Sequence, residues 1–126
     1  MKILRINDRG NLEKERLVLK ADAIEDLGHY LIFKTTLLDE GGFSARPDSR
    51  VFWLPDRQIK KGDMVVIYSK EGSLSTKENK DKSTSLFFYW NSKVPLWSKD
   101  TDTVVLIKVS EYQAWAAKIE ESKEKS

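Results

Sequence analysis

The chain alternates apolar and polar residues in seven short runs, and this alternation constrains the fold more than any other feature. The runs are rich in β-branched and aromatic residues, and residues two apart in such a run lie on one face of a strand. They lie near Lys2–Ile6, Arg16–Ala21, His29–Leu37, Arg50–Leu54, Asp63–Ser69, Ser85–Asn91 and Thr103–Val109. Short strands in this number predict an all-β domain.

Turn-forming residues separate the runs and support that division. Gly10, the pair Gly41–Gly42 and Gly62 lie between successive runs, where the chain must reverse direction. The long segment from Lys70 to Ser85 is polar and charged. This composition predicts a long exposed loop or an extended hairpin tip.

The apolar period changes after the last run. The residues that recur there with helical spacing are Tyr112, Trp115, Ala116 and Ile119. Ser110 and Gln113 have the spacing of a capping box, in which each side chain satisfies a backbone N–H at the start of a helix. The pattern predicts a short amphipathic helix from Glu111 to about Lys123, which must be buried against something because isolated helices of this length are marginal in water.

Five aromatic residues occur in the stretch FFYWNSKVPLW, which begins at Phe87. Such a cluster is either a stacking platform for bases or the core of a β-protein. Alternation places Phe88 and Trp90 on one face of a strand and Phe87 and Tyr89 on the other. Because buried aromatic rings remove large areas from water, we favour the core for Trp90 and Trp97.

Composition excludes several classes of protein and site. The 126 residues include 22 basic and 20 acidic side chains, a net charge of +2, and no cysteine. Disulfides and thiolate metal sites are therefore excluded, and the mixed charge argues mildly against a dedicated nucleic-acid binder. Charged residues interrupt the first apolar stretch, and no later stretch approaches the length of a membrane span, so we expect a cytoplasmic protein with no membrane contact.

The residues of common catalytic sites are scarce. The single histidine, His29, lies beside a predicted turn, and no phosphate-binding or dinucleotide-binding fingerprint occurs. The acidic pairs Asp39–Glu40 and Asp100–Asp102 supply too few oxygens to argue for calcium. We therefore expect no enzymatic activity, no cofactor, no metal and no small-molecule substrate.

Several elements occur in an order and spacing that one known family shares. They are Glu15–Lys20, Asp26–Leu31, Phe52–Pro55, Ile59–Ser69, Phe88–Trp90, Trp97 and Asp102–Leu106. Together they resemble the lamin tail domain, and the resemblance covers about Glu15 to Val109. The family usually has Gly-Asp where this chain has Thr101-Asp102, and the predicted C-terminal helix lies outside the family pattern.

The resemblance implies an immunoglobulin-like β-sandwich of about seven strands. We accordingly expect a lamin-tail-like domain over residues 1–110, followed by the amphipathic helix and a charged tail over residues 111–126. Lamin tail domains act as interaction modules that bind proteins and, in some cases, DNA. The chain is therefore expected to bind a protein partner, or a second copy of itself, through sandwich loops or a sheet edge and through Tyr112, Trp115 and Ile119 of the helix.

Nucleic-acid binding remains the alternative function. Basic residues occur near the fourth run and in the long polar segment, and phosphates bind such clusters. The candidates are Arg46, Arg50, Arg57, Lys60, Lys61, Lys77, Lys80 and Lys82. Acidic residues such as Glu78 and Asp81 are interleaved with these lysines and weaken the positive field. DNA therefore stays a possible partner of an accessory domain.

Overall fold

The computed structural model describes residues 1–44 and 50–116, which form β-strands and one short 3-10 turn and contain no α-helix. The strands are β1 (Lys2–Asn7), β2 (Arg16–Lys20), β3 (Glu25–Asp26), β4 (Tyr30–Thr36), β5 (Arg50–Trp53), β6 (Gln58–Ile59), β7 (Met64–Tyr68), β8 (Ser75–Glu78), β9 (Thr84–Tyr89) and β10 (Asp102–Lys108). The expected all-β architecture is confirmed.

All seven predicted strands are present, and their ends lie within two residues of the predicted limits. The three additional strands have no apolar alternation that could predict them. β3 and β6 contain two residues each, and the four residues of β8 are all exposed. β8 pairs with β9 as an antiparallel hairpin, so the hairpin interpretation of the segment from Lys70 to Ser85 is confirmed.

The larger sheet has five strands in the order β1-β2-β7-β9-β8. Its pairs are antiparallel except for β7 and β9, which run parallel. The chain can place β9 parallel to β7 because β8 lies between them in sequence and returns the chain at the sheet edge. Leu17 and Leu19 of β2, with Ile67 of β7, are fully buried on one side of this sheet.

A second, three-stranded sheet has the order β10-β4-β5, and all of its pairs are antiparallel. β3 and β6 form a small separate pair. Tyr30 and Ile32 of β4 belong to the same buried cluster as Leu17 and Leu19 of the larger sheet. The two larger sheets therefore enclose one apolar core, as apolar faces of sheets must when they leave water.

The aromatic stretch supplies much of this core, which confirms the interpretation made from the sequence. Trp97 is fully buried, and its Nε1 donates to the Thr103 carbonyl oxygen over 3.2 Å. The Trp90 ring packs against Trp97 with a centroid distance of 5.9 Å and an interplanar angle of 87°. Phe52 of β5 lies 5.2 Å from Trp90, so the cluster joins the two sheets.

Glu15 is an unexpected member of the interior, because its side chain is fully buried. Oε1 accepts hydrogen bonds from Ser69 Oγ at 2.5 Å and from the Leu96 backbone N–H at 2.6 Å. Oε2 accepts from the backbone N–H groups of Gly10 at 2.7 Å and Trp97 at 3.2 Å. One carboxylate thereby joins the β1–β2 turn, the end of β7 and the connection between β9 and β10.

The predicted C-terminal helix is wrong over the residues that the structure describes. The chain from Glu111 to Ala116 has no regular secondary structure, and every residue in it is exposed. Tyr112 packs on the sheet in this irregular conformation, while Trp115 is 75% exposed. Without a buried stripe, helix formation at this length is not stabilised. The remainder of the predicted helix, including Ile119, lies outside the described residues.

Candidate interaction surfaces

The outward side of the three-stranded sheet carries apolar residues on every strand. Directly opposed residues of antiparallel strands lie on one side of a sheet, so the register defines which residues share that side. The two central rows are Val51–Phe33–Val105 and Trp53–Leu31–Ile107. The alternate residue of β4, Ile32, points into the core and is fully buried. The sheet therefore has apolar residues on both sides.

Beyond the next row, Thr35–Thr103, a bridge past the end of β4 adds two more apolar residues to this side. Leu37 is paired with Phe43, and the Leu37 backbone N–H donates to the Thr101 carbonyl oxygen at 2.7 Å, which continues the pairing of β4 with the β10 side. Leu37 is 46% exposed and Phe43 is 50% exposed. We call the complete set the apolar face: Leu31, Phe33, Leu37, Phe43, Val51, Trp53, Val105 and Ile107.

The apolar face is incompletely covered by the described residues. Val51 is 47% exposed and Trp53 is 45% exposed, and the four residues on β4 and β10 are partly buried. An antiparallel sheet usually presents polar residues to water on its outer side. Contiguous exposed apolar surface of this kind marks interaction sites in folded proteins.

Trp53 and Tyr112 form an aromatic corner at one end of the apolar face. Their rings meet edge to face with a centroid distance of 5.0 Å. Trp53 Nε1 donates to the Gly28 carbonyl oxygen at 2.7 Å, which fixes the orientation of the indole. Tyr112 is 67% exposed. The corner also borders a shallow pocket whose lining includes His29 and Pro55.

The loop that carries Gly28 is held by Asp26. The Asp26 carboxylate accepts from the backbone N–H groups of Gly28 at 2.8 Å and Arg57 at 3.0 Å. These two hydrogen bonds hold the pKa of the Asp26 carboxyl below its usual value, because they stabilise the charged form. A Cβ at position 28 would lie 1.8 Å from Asp56 Oδ1, so the exposed Asp56 side chain would have to turn away to admit it. The two loops therefore approach closely at Gly28.

The residues predicted to bind protein have different positions. Tyr112 lies at the aromatic corner, and Trp115 is exposed three residues further along the chain. Ile119 lies outside the described residues. The sequence analysis missed the apolar face itself, although a signal for it existed: β4 and β10 contain the continuous apolar runs YLIF and VVLI, which are typical of strands with apolar residues on both sides.

The basic residues predicted to bind nucleic acid do not form one patch among the described residues. Arg50 donates to Ser92 Oγ at 3.1 Å, beyond the end of β9. Lys60 donates to the Lys82 carbonyl oxygen at 2.9 Å, before the start of β9. A strand of that length separates these two places by about 20 Å.

The remaining predicted basic residues are distributed around these positions. Arg57 and Lys61 lie in the loops on either side of β6, Lys80 lies in the β8–β9 turn, and Lys77 lies on β8. Arg46 lies outside the described residues. Lys60, Lys61, Lys80 and Lys82 thus share one end of the molecule, while Arg50 lies at the other.

A different group of basic residues lies on the outer side of the five-stranded sheet. The register places Arg5, Arg16, Lys20 and Lys77 on the side opposite the core, together with Lys2. Tyr68, Phe87 and Tyr89 lie on the same side. We call this set the cationic face: Lys2, Arg5, Arg16, Lys20, Tyr68, Lys77, Phe87 and Tyr89.

The aromatic rings of the cationic face pack against one another and against cations. Tyr68 and Tyr89 are nearly parallel, with an interplanar angle of 13° and a centroid distance of 5.4 Å. The Lys70 ammonium lies 5.1 Å from the Tyr68 ring centroid, within the range of a cation–π contact. Arg16 also forms an ion pair with Asp8 at 2.8 Å, which offsets part of the positive charge.

Within residues 1–44 and 50–116, no group of three or more acidic or histidine side chains is placed to hold a metal ion. In the same ranges, no helix has the length and apolar character needed to cross a membrane. In the comparisons with known proteins, no family model matches the chain, and no curated protein or solved structure is significantly similar to it.

Proposed function

We propose that the chain is a non-enzymatic protein-binding module and that it binds through the apolar face and the aromatic corner. The observation that carries this proposal is the half-exposed state of Val51, Trp53, Leu37 and Phe43 on one side of the sheet. Removing each of these side chains from water on binding lowers the free energy of the complex. Large aromatic residues such as Trp53 are favoured at the centres of interfaces.

The rigidity of the surface supports the same function. Six of the eight residues lie on paired strands, and the Trp53 indole is fixed by its hydrogen bond to Gly28. A preformed surface loses little conformational entropy on binding, so more of the burial energy contributes to affinity. Trp53 and Tyr112 are accordingly the side chains that we expect to anchor a partner.

We also propose that the chain is a lamin-tail-like domain with an immunoglobulin-like sandwich. Two sheets around one core support this assignment, as does the position of the aromatic elements Phe52–Pro55 and Phe88–Trp90 on facing strands. β7 pairs in parallel with β9, and this pairing is the feature of the strand order to compare with that of lamin tail domains. An experimental structure whose strand connections differ from the immunoglobulin-like order would contradict the assignment.

Capture from a nuclease-treated lysate of the source cells tests the protein-binding function. We expect the tagged chain to retain a protein, and Val51→Glu to reduce its recovery by about tenfold or more because the interface would bury an unpaired charge. The matched control is Val94→Glu, since Val94 is 53% exposed and lies outside the apolar face. Equal recovery with both variants would show that the apolar face is not the binding surface.

Nucleic-acid binding is the second candidate function, and the cationic face is the observation that favours it. Its strand positions carry five basic residues and three aromatic rings. Basic residues can neutralise phosphates, and bases stack on aromatic side chains. This surface differs from the basic cluster expected from the sequence, with which it shares only Lys77.

Fluorescence anisotropy with a labelled single-stranded oligonucleotide tests this second candidate. The double variant Arg5→Glu and Lys77→Glu reverses two charges, and we expect it to weaken oligonucleotide binding by about tenfold or more and to reduce the salt dependence of the affinity. In the matched control, the charges of Lys60 and Lys61, which lie in the β6–β7 turn, are reversed by substitution with glutamate. If the control pair weakened binding and the first pair did not, the site would belong to the predicted lysine cluster instead.

A further inference from the structure

We propose that the partner of the apolar face is a second copy of this chain. This inference rests on the proposed protein-binding function and names the occupant of the same surface. Two copies would pack the outer sides of their three-stranded sheets against each other, with Phe33 and Leu31 near the centre and the Trp53–Tyr112 corner toward one end. The result is a symmetric dimer in which one surface serves both subunits.

The two segments that the structure does not describe lack the residues needed to cover the apolar face. Residues 45–49 read ARPDS, and residues 117–126 read AKIEESKEKS. Ile119 is the single large aliphatic residue in either segment, and most of the second segment is charged. Covering eight apolar side chains requires comparable apolar surface on the other side, so an occupant from another molecule fits better than either segment.

The absence of charge from the apolar face makes that face compatible with a second copy of itself. In a two-fold interface, residues near the axis meet their own counterparts, so a charged residue there would face a like charge. The rows Val51–Phe33–Val105 and Trp53–Leu31–Ile107 contain no charged side chain. The apolar face is thus complementary to itself, which a surface evolved for a charged partner would not be.

The shape and size of the surface also suit self-association. Sheets of the same twist pack face to face at about 10 Å, with their strands roughly aligned. From the exposed fractions of its large side chains, the face and Tyr112 would remove about 600 Å² from water on each copy. The pair would bury about 1,200 Å², at the lower end of specific interfaces, so we expect a dimer that dissociates on dilution.

Sedimentation velocity over a wide range of protein concentrations tests the proposal. The wild-type chain and Val94→Glu are expected to shift from monomer to dimer as concentration rises. Val51→Glu is expected to raise the dissociation constant by about tenfold or more, since it places a carboxylate in the interface. Circular dichroism establishes that each variant is folded. If Val51→Glu fails to fold, Val51→Thr replaces it in the test, because threonine keeps the β-branched shape of valine. Val51→Thr should weaken the dimer by a smaller factor than Val51→Glu.

Two results would overturn the dimer. They are a wild-type chain that stays monomeric at every concentration, and a Val51→Glu or Val51→Thr variant that dimerises as strongly as the wild type. If the dimer is overturned, binding of an apolar dye by the monomer tests whether the apolar face can still bind another protein. Dye fluorescence that Val51→Glu lowers and Val94→Glu leaves unchanged would keep the apolar face available for another protein, whereas equal fluorescence in all three proteins would remove that function too.

Discussion

Replacing Glu15 by alanine is expected to lower the free energy of unfolding by about 3–5 kcal/mol, because the change leaves several buried donors without acceptors. The wild-type carboxylate accepts four hydrogen bonds from three separate segments of the chain. A domain of ordinary stability has roughly 5–15 kcal/mol in total, so the variant should be close to unfolding. Urea denaturation followed by tryptophan fluorescence measures the change.

Glu15→Gln tests whether the charge and geometry of the group matter beyond its volume. Each carboxylate oxygen accepts two hydrogen bonds, so the NH₂ group of an amide faces at least one backbone N–H; at the Oε1 position that donor is Leu96, while the Ser69 hydroxyl can turn to accept. We expect a loss of about 2 kcal/mol from this mismatch. Glu13→Ala is the matched control, since the Glu13 side chain is 79% exposed. A Glu15→Ala variant no less stable than Glu13→Ala would contradict the role assigned to the buried carboxylate.

Replacing Trp97 by alanine is expected to lower the free energy of unfolding by about 3–5 kcal/mol, since it removes a large buried side chain and leaves a cavity. Trp97 is fully buried, packs edge to face on Trp90 and donates to the Thr103 carbonyl oxygen. Thermal denaturation followed by circular dichroism measures the effect. Trp97→Phe should cost less than Trp97→Ala, because phenylalanine fills part of the cavity and the change then removes mainly the indole hydrogen bond to the Thr103 carbonyl oxygen.

Trp115→Ala provides a matched control for this prediction. Trp115 is 75% exposed, so its removal deletes little buried area and should change stability by less than about 1 kcal/mol. If Trp97→Ala and Trp115→Ala had equal effects, the aromatic stretch could not be the centre of the core. In a variant that carries both Glu15→Ala and Trp97→Ala, the loss in free energy of unfolding should be smaller than the sum of the two single losses. The two sites are coupled because the Trp97 backbone N–H donates to the Glu15 carboxylate.

The strands could be predicted because their signal is local. Alternation within β2 and β9 reports which residues face the core, and Leu17, Leu19, Leu86 and Phe88 are buried as that pattern requires. The helix prediction failed for the complementary reason. Helical spacing at Tyr112 and Trp115 stabilises a helix when a surface buries the stripe, and that condition depends on tertiary packing.

The candidate surfaces depended on strand pairing, which couples residues far apart in the chain. Val51 and Val105 flank Phe33 because β5 and β10 pair with opposite edges of β4. The spacing of basic residues gave no comparable guide, since Arg50 and Lys60 are near in sequence and lie at opposite ends of β9. Sequence distance does not measure distance across a sheet.

The sequence by itself therefore determined the all-β class, the positions of the seven main strands and the core role of the Trp90–Trp97 stretch. These follow from short-range periodicity and from the free energy of burying aromatic rings. The tertiary structure alone decided that a carboxylate would be buried at Glu15, that the residues from Glu111 to Ala116 would not be helical, and that one sheet would keep an apolar outer side. Each of these outcomes arises from contacts between distant segments, whose partners local patterns do not specify.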